Sequence, residues 1–302
     1  MEGGPQRASE SDAAKAQRQR LTGIALMTGA VAAFACIDTS AKYLNDHVHA
    51  VQVVWARFAV AFLLGFIVYN PWTRPGMLRT LRPGLQIGRS TLLIICTALN
   101  VVALKYLQLD QTVSILFATP LMVALFAGPM LGEWISLRRW IAIGVGFLGV
   151  LVVTRPGLGG IHPAALLSFI GTVLYAIYSI WTRVLSRHDS TETTLFYSNV
   201  VGVALTTIVL PFFWTTPQSA LVVLAMISVG TFGALGHFLL IAAHRLAPAS
   251  VLAPFIYSEL VWMILLGYLA FGDVPNQWTL IGACIVIASG LYLLLRERRV
   301  KT

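Results

Sequence analysis

Ten stretches of this chain are apolar and long enough to cross a bilayer, which leaves little room for anything else. They are residues 21–43, 50–70, 86–108, 111–131, 138–154, 163–185, 192–214, 220–244, 249–271 and 278–295. A helix needs about 20 apolar residues to span the hydrocarbon core, with a range of roughly 17–25. Inside the bilayer the backbone must satisfy its own N–H and C=O groups, so such runs fold as helices. The connections are short, so neighbouring helices run antiparallel. Composition points the same way: 57% of the 302 residues are hydrophobic and 11% are charged, against about 25% charged in a soluble domain. The expected fold class is an all-α integral membrane protein with ten transmembrane helices. Cys36, Cys96 and Cys284 all fall inside apolar runs, where they read as small packing residues with neither a disulfide framework nor metal spacing.

The net charge of +9 belongs to topology rather than to nucleic acid. With the N-terminus in the cytoplasm, 17 of the 21 Lys and Arg residues fall on the cytoplasmic side. Lys42, Lys105 and Arg155 fall outside, and Arg57 sits within the second helix. That asymmetry is the positive-inside pattern and puts both termini in the cytoplasm. Residues 1–20 are polar and read as a disordered tail; 296–302 read as a basic tail. A basic stretch before an apolar run also has the form of a signal peptide, with Ala33-Phe34-Ala35 as a cleavage site. Against that reading, the first helix has a counterpart later in the chain.

The counterpart is one part of an internal repeat. Residues 103–140 match 242–278: Leu107 with Leu246, Leu121 with Leu260, Gly128 with Gly267, Gly132-Glu133 with Gly272-Asp273, and Trp140 with Trp278. SAKYL at 40–44 likewise echoes WTRVL at 181–185. The two units expected are 21–154 and 161–295, five helices each. Five is odd, so the second copy enters the membrane upside down. Inverted repeats of this kind are an architecture of alternating-access transporters, whose site lies near the midplane between the halves.

At these residues the sequence resembles the drug/metabolite transporter superfamily, specifically the ten-helix EamA-type proteins. The resemblance rests on Pro120-Leu121 and Leu131-Gly132-Glu133 in the first half, and on Glu259-Leu260, Phe271-Gly272-Asp273 and Trp278 in the second. It covers about 21–297. Many relatives carry Glu-Pro where this chain has Glu259-Leu260, so Pro254 is left to supply a kink one turn earlier. The resemblance implies a cavity surrounded by helices one, three, four, six, eight and nine. It also implies transport of amino acids, S-adenosylmethionine, riboflavin, nucleotide-like metabolites or toxic compounds, by proton coupling or exchange.

Charged and polar residues inside the runs are the candidate site. Glu259 is the only charge in 248–272, roughly 15 Å along a helix that rises 1.5 Å per residue. A carboxylate at that depth costs about 2.5–3.5 kcal/mol on insertion scales. It is read as a proton carrier, a partner for a cationic substrate group, or both; the plainer reading is a protonated Glu bonded to a neighbouring helix. Asp38 and Arg57 lie at matching depth on consecutive antiparallel helices and are expected to pair, either as a lock or around substrate. Their repeat equivalents are Ser179 and Asn199. His237 is a candidate proton relay, and Asn100 and Thr119 are candidate hydrogen bonders. Among the aromatics, Tyr175, Tyr178 and Trp262 are candidates for the cavity wall, where rings stack on planar groups and attract cations. On a regular helix Phe255 and Trp262 share the face of Glu259, and Tyr257 does not. Glu133 and Asp273 are read as helix-end caps or gate latches, Glu133 with Arg138 or Arg139.

Enzyme motifs are absent: the sequence has no phosphate loop, no His-Glu-x-x-His and no nucleophile elbow. No cofactor, metal or nucleic acid is expected. The expected partners are a small-molecule substrate, the lipid bilayer and protons as coupling ion, in a monomer or homodimer. The reading is a secondary transporter of a small polar or heterocyclic metabolite in a bacterial inner membrane. The alternatives are a broad efflux pump for amphipathic cations, with Glu259 as cation trap, and a non-transporting membrane protein.

Overall fold

The computed structural model describes residues 4–68, 75–106, 115–154, 163–272 and 277–299. These form helices, short 3-10 turns and the brief loops that join them, with no strand among them. In chain order the helices are α1 (Gly4–Asn45), α2 (Ala50–Val68), α3 (Pro83–Tyr106), α4 (Thr119–Leu131), α5 (Leu137–Thr154), α6 (Ala165–Leu185), α7 (Thr191–Val209), α8 (Ala220–Leu246), α9 (Ala249–Leu252), α10 (Glu259–Phe271) and α11 (Gln277–Arg299). Among the described residues seven spans are long and apolar enough to cross a membrane, including Ala249–Phe271, which takes in α9 and α10. Thr119–Leu131 and Leu280–Tyr292 are apolar but shorter.

Two expectations about helix limits change. Residues 4–20, expected as a disordered tail, are the first turns of α1. Ala13, Ala14, Lys15, Ala16, Gln17, Arg18, Gln19 and Arg20 are mostly strong helix formers. The membrane helix that follows supplies the nucleus they would lack alone. At the other end α11 runs on to Arg299, into the expected basic tail.

The fold depends on helices that break. Residues 248–272, expected as one regular helix, form α9, then a 3-10 segment Ala253–Ser258, then α10. Pro254 cannot donate to the carbonyl four residues back, so the turn tightens to the i→i+3 pattern. The first half breaks at the corresponding place, with a turn at Phe117-Ala118 before α4. Pro120 stands in the first turn of α4 rather than inside a helix. Thr119 Oγ1 donates to Leu116 O at 2.5 Å, the carbonyl that Pro120 leaves without a donor. Both α4 and α10 are 13 residues long, and both end on a left-handed glycine: Gly132 at φ 69° and Gly272 at φ 71°. These shared limits set Glu259 opposite Thr119, one residue from the Pro120 that the leucine alignment indicated.

Packing exchanges between the halves. Across the halves, α1 packs along α8 and α3 packs along α6; α2 meets α7 and α8, and α3 meets α7; α5 lies against α11. Swapping the halves maps this pattern onto itself. Lipid tails are as apolar as leucine, so helices in a membrane associate through close packing of small residues. Gly230 and Gly233 of α8 do this against α2. A Cβ built on Gly230 would stand 2.3 Å from Val60 Cβ and 3.0 Å from Ala56 O. At Gly233 the nearest atom is Arg57 Cγ, at 3.3 Å, so the arginine stem lies across α8 where any other residue would displace it.

The end of the bundle that carries Arg79, Arg82, Arg183, Arg187 and Arg245, here the basic face, is tied shut. Glu133 Oε1 pairs with Arg183 (3.2 Å) and Arg187 (3.3 Å), and its Oε2 accepts from Ala249 N at 3.0 Å. These partners replace the expected Arg138 or Arg139: the left-handed turn at Gly132 aims Glu133 across to α6 and the start of α9. Asp189 Oδ2 accepts from Thr80 Oγ1 (2.5 Å) and Gln86 Nε2 (2.7 Å), and Asp189 O accepts from Arg245 (2.5 Å). Asp273 lies outside the described residues.

Overpacking a tight helix contact costs roughly 1–3 kcal/mol. Gly230→Ala is therefore expected to lower the thermal midpoint of the detergent-solubilised protein, whereas Gly84→Ala, with no atom within 4 Å of the added Cβ, leaves it in place. Equal midpoints for the two variants would contradict the close α2–α8 contact.

Candidate functional site

A cavity of about 130 Å³ lies in the half of the bundle away from the basic face. Its walls come from the second half of α1, the first turns of α2, the second half of α3, the break before α4, the first half of α6, the middle of α8 and the break before α10. Helix two is thus added to the set that the resemblance implied, through Val53, Val54 and Arg57. An apolar cavity of about 150 Å³ accepts benzene, so in this state the space admits one ring or one short polar arm.

Seven of the nine expected binding residues line it: Asp38, Arg57, Asn100, Thr119, Tyr175, His237 and Glu259. The break before α10 explains which neighbours share the face of Glu259. A 3-10 helix has three residues per turn, so i and i+3 eclipse. Ile256 therefore lines the cavity with Glu259, as Leu116 does with Thr119 in the other half. Phe255, expected on that face from α-helical spacing, packs in the apolar core instead. Tyr257 points away as expected; its hydroxyl donates to Ile143 O at 3.3 Å.

Trp262 is not in the cavity wall. It packs against the main apolar cluster. Tyr178 lies one layer below the cavity, fully buried and stacked 5.5 Å from Tyr175. Of the other aromatics, Trp181 closes against Gly88.

The predicted pairing of Asp38 with Arg57 is not made. Arg57 crosses Gly233 and turns to α3 and α8: Nη1 donates to Thr97 Oγ1 at 2.9 Å, and Nη2 meets His237 Nε2 at 2.5 Å. Both residues line the cavity, but the glycine at 233 lets the arginine stem lie along α8. Neither Asp38 nor Glu259 makes a side-chain hydrogen bond or ion pair to another described residue, and Asn100 has no side-chain hydrogen bond either. Arg57 Nε and Ser168 Oγ, the latter also in the wall, lack protein partners among the described residues. The cavity thus presents two carboxylates, one guanidinium, an amide and a hydroxyl.

Beneath it runs a chain of hydrogen-bonded polar groups. An arginine can only donate, so His237 Nε2 accepts from Arg57. Its Nδ1 then carries the proton and gives it to Tyr178 Oη, 2.9 Å away. Tyr178 Oη also accepts from Arg89 Nη2 at 2.7 Å. His237 is therefore engaged on both nitrogens, one contact facing the cavity and one facing the closed end.

Arg89 is the residue that sequence reasoning missed. Counted with the basic loops, it is 0% exposed inside α3. It lies three residues into the 86–108 run, and that depth is the signal that separates it from Arg79 and Arg82. Thr97 and Ser168 were also passed over; Thr97 stands three residues before Asn100, on the same face of α3.

The EamA-like transporter family matches this chain twice, over residues 21–155 and 162–296. The S-adenosylmethionine uptake transporter of Rickettsia conorii is 29% identical over 281 residues, 92% of this chain and 94% of that protein. The riboflavin transporter of Vibrio cholerae is 28% identical over 276 residues, 90% of this chain and 93% of that protein. One solved crystal structure superposes with a TM-score of 0.74 at 17% identity, covering 96% of this chain and 99% of its own, and so shares the fold. With the helices long enough to span a bilayer, these matches place the chain as a multi-pass membrane protein, and it belongs to the EamA-like transporter family.

Proposed function

We propose that this chain takes up an amphoteric, ring-bearing metabolite of the S-adenosylmethionine type by alternating access between two inverted five-helix repeats, 21–154 and 161–295. The observation that carries the reading is the charge pattern of the cavity. Asp38 and Glu259 reach it with no side-chain hydrogen bond or ion pair among the described residues, and Arg57 stands beside them. Such a set suits a ligand with two cationic centres and one carboxylate. S-Adenosylmethionine has a sulfonium, an ammonium and a carboxylate, with a planar base for the Tyr175 ring. Riboflavin, the substrate in the name of the Vibrio cholerae relative, has no cation for the carboxylates to meet. The exchange of helix contacts between the halves supports ten spans in two inverted units.

In this reading the basic face is cytoplasmic, both termini lie there, and the membrane is a bacterial inner membrane. The cavity then opens outward, with Glu133 and its arginines as the inner latch. Glu259 exchanges a proton or a substrate cation at the break in its span, and Asp38 stabilises the second cation. Efflux of amphipathic cations is the competing reading. Arg57 weighs against it, because a guanidinium in the same cavity repels a purely cationic ligand.

The test is uptake of labelled S-adenosylmethionine, riboflavin and an amino-acid mixture into proteoliposomes, with and without a pH gradient. Wild type is expected to take up S-adenosylmethionine alone. Hydrogen bonds to charged groups are worth about 1.5–3 kcal/mol, so Glu259→Gln is expected to weaken uptake roughly ten- to a hundredfold. Wild type that moves amphipathic cations and none of the three would overturn the reading in favour of efflux.

Arg57 gives a separate expectation. Arg57→Gln is expected to raise KM for S-adenosylmethionine roughly tenfold or more, and to leave competition by decarboxylated S-adenosylmethionine from the outer side unchanged. An equal loss for both compounds would assign Arg57 a structural role.

A further inference from the structure

Arg89 holds a full positive charge in the closed half of the bundle, and among the described residues no carboxylate pairs with it. Its three nitrogens donate to Thr182 Oγ1, Ser198 Oγ and Tyr178 Oη, each at 2.7 Å. The guanidinium stacks 4.4 Å from the Tyr178 ring centroid. All three acceptors are neutral hydroxyls, and two have committed their own protons. Thr182 Oγ1 donates to Tyr178 O at 2.7 Å, and Ser198 Oγ donates to Thr194 O at 2.8 Å. Among the described residues no carboxylate comes within ion-pair distance of Arg89. The carboxylate in the same layer, Asp189, is occupied by Thr80 and Gln86.

Hydroxyl lone pairs satisfy the donors but not the charge. An ion out of water without a counter-ion costs several kcal/mol. A glutamine would serve a merely structural hydroxyl cage without that cost. A group so arranged, with its donors fixed by hydroxyls and no carboxylate beside it among the described residues, suits an anion.

Its position says when the anion arrives. Arg89 comes from α3, and its cage comes from α6 and α7. These elements seal the cavity from the basic face, and they must part if the bundle opens that way. Swapping the halves turns the contacts of α3 with α6 and α7 into those of α8 with α1 and α2. The latter set borders the cavity, with Arg57 between α2 and α8. The two arginines therefore occupy comparable layers in the two halves, one bordering the cavity and one sealed. They are joined by a continuous chain, Arg57 to His237 (2.5 Å), His237 to Tyr178 (2.9 Å) and Tyr178 to Arg89 (2.7 Å). A carboxylate that takes Arg57 Nη2 from His237 breaks that chain at one end. His237, which holds Tyr178 of the Arg89 cage, is then held by one contact fewer.

We propose that Arg89 is a second binding point for the substrate carboxylate, used when the transporter opens to the basic face, so that the carboxylate passes from Arg57 to Arg89 during transport. This rests on the amphoteric-substrate reading above, and it adds a residue to the site in a different state.

The test uses right-side-out vesicles and inverted vesicles, the latter presenting the basic face. Transport of labelled S-adenosylmethionine is inhibited with unlabelled S-adenosylmethionine or with the decarboxylated analogue. Wild type is expected to prefer the carboxylated compound roughly tenfold from either side. Arg89→Gln is expected to lose that preference in inverted vesicles and to keep it in right-side-out vesicles. Arg57→Gln is expected to do the reverse, which gives a reading even where Arg89→Gln fails to fold. A carboxylate preference in inverted vesicles that disappears with Arg57→Gln would overturn the inference, leaving Arg57 as the only carboxylate site. So would a loss in Arg89→Gln that is equal for both inhibitors, the mark of a gate element. Wild-type transport in right-side-out vesicles keeps the two readings apart: where it is present and inverted vesicles show no preference, this inference alone fails.

Discussion

A charged side chain inside a bilayer has no water to solvate it, and the rest of this structure follows from how four such groups are held. Asp38, Arg57, Arg89 and Glu259 all lie within spans. Each needs a partner in the protein, a wet cavity, or a ligand. The protein uses a different solution in each half. On the cavity side the two carboxylates reach open space and the guanidinium takes Thr97 and His237. On the closed side a cage of hydroxyls surrounds Arg89. The boundary between these arrangements is the Tyr178–His237 contact.

Backbone geometry serves the same end. A regular helix through the midplane would leave Glu259 one residue in a uniform apolar wall. The 3-10 segment before it and the turn before Thr119 open the bundle at repeat-related points. Non-helical backbone at that depth is tolerated where it lines a cavity, and Thr119 and Ser258 satisfy carbonyls at the breaks. The glycines of α8 act in the opposite sense, drawing α2 close enough for Arg57 to reach His237. One polar cluster thus needs both loosened helices and tightly packed ones.

Much of this was legible in the sequence because the bilayer makes charge conspicuous. Glu259, Asp38 and Arg57 stand out as charges inside apolar runs, and all three border one cavity. Depth along a helix can be counted, whereas direction around it depends on details that counting does not capture. Hence the matching depth of Asp38 and Arg57 did not make them a pair: the groove at Gly233 decides where Arg57 points. Hence too Phe255 gave way to Ile256, because Pro254 changes the period from 3.6 to three. Arg89 was hidden by its nearness to loop arginines, although three residues of depth are enough to remove it from water. Glu133 found Arg183 and Arg187 rather than its sequence neighbours because a left-handed glycine turns it across the bundle. The helicity of 4–20 was hidden because a polar stretch reads as a tail until the helix that nucleates it is considered.

If the open and closed halves exchange roles around the charged layer, the accessibility of the two faces must exchange with them. The measurement is thiol labelling of two single-cysteine variants, Asn100→Cys in the cavity and Thr194→Cys in the sealed layer beside Ser198, in a background with Cys36, Cys96 and Cys284 replaced. Without substrate, of these two positions only 100 is expected to react, from the face opposite the basic one. Under turnover its reactivity should fall while position 194 becomes reactive from the basic face. A position 194 that stays unreactive during measured transport would contradict alternating access through this bundle.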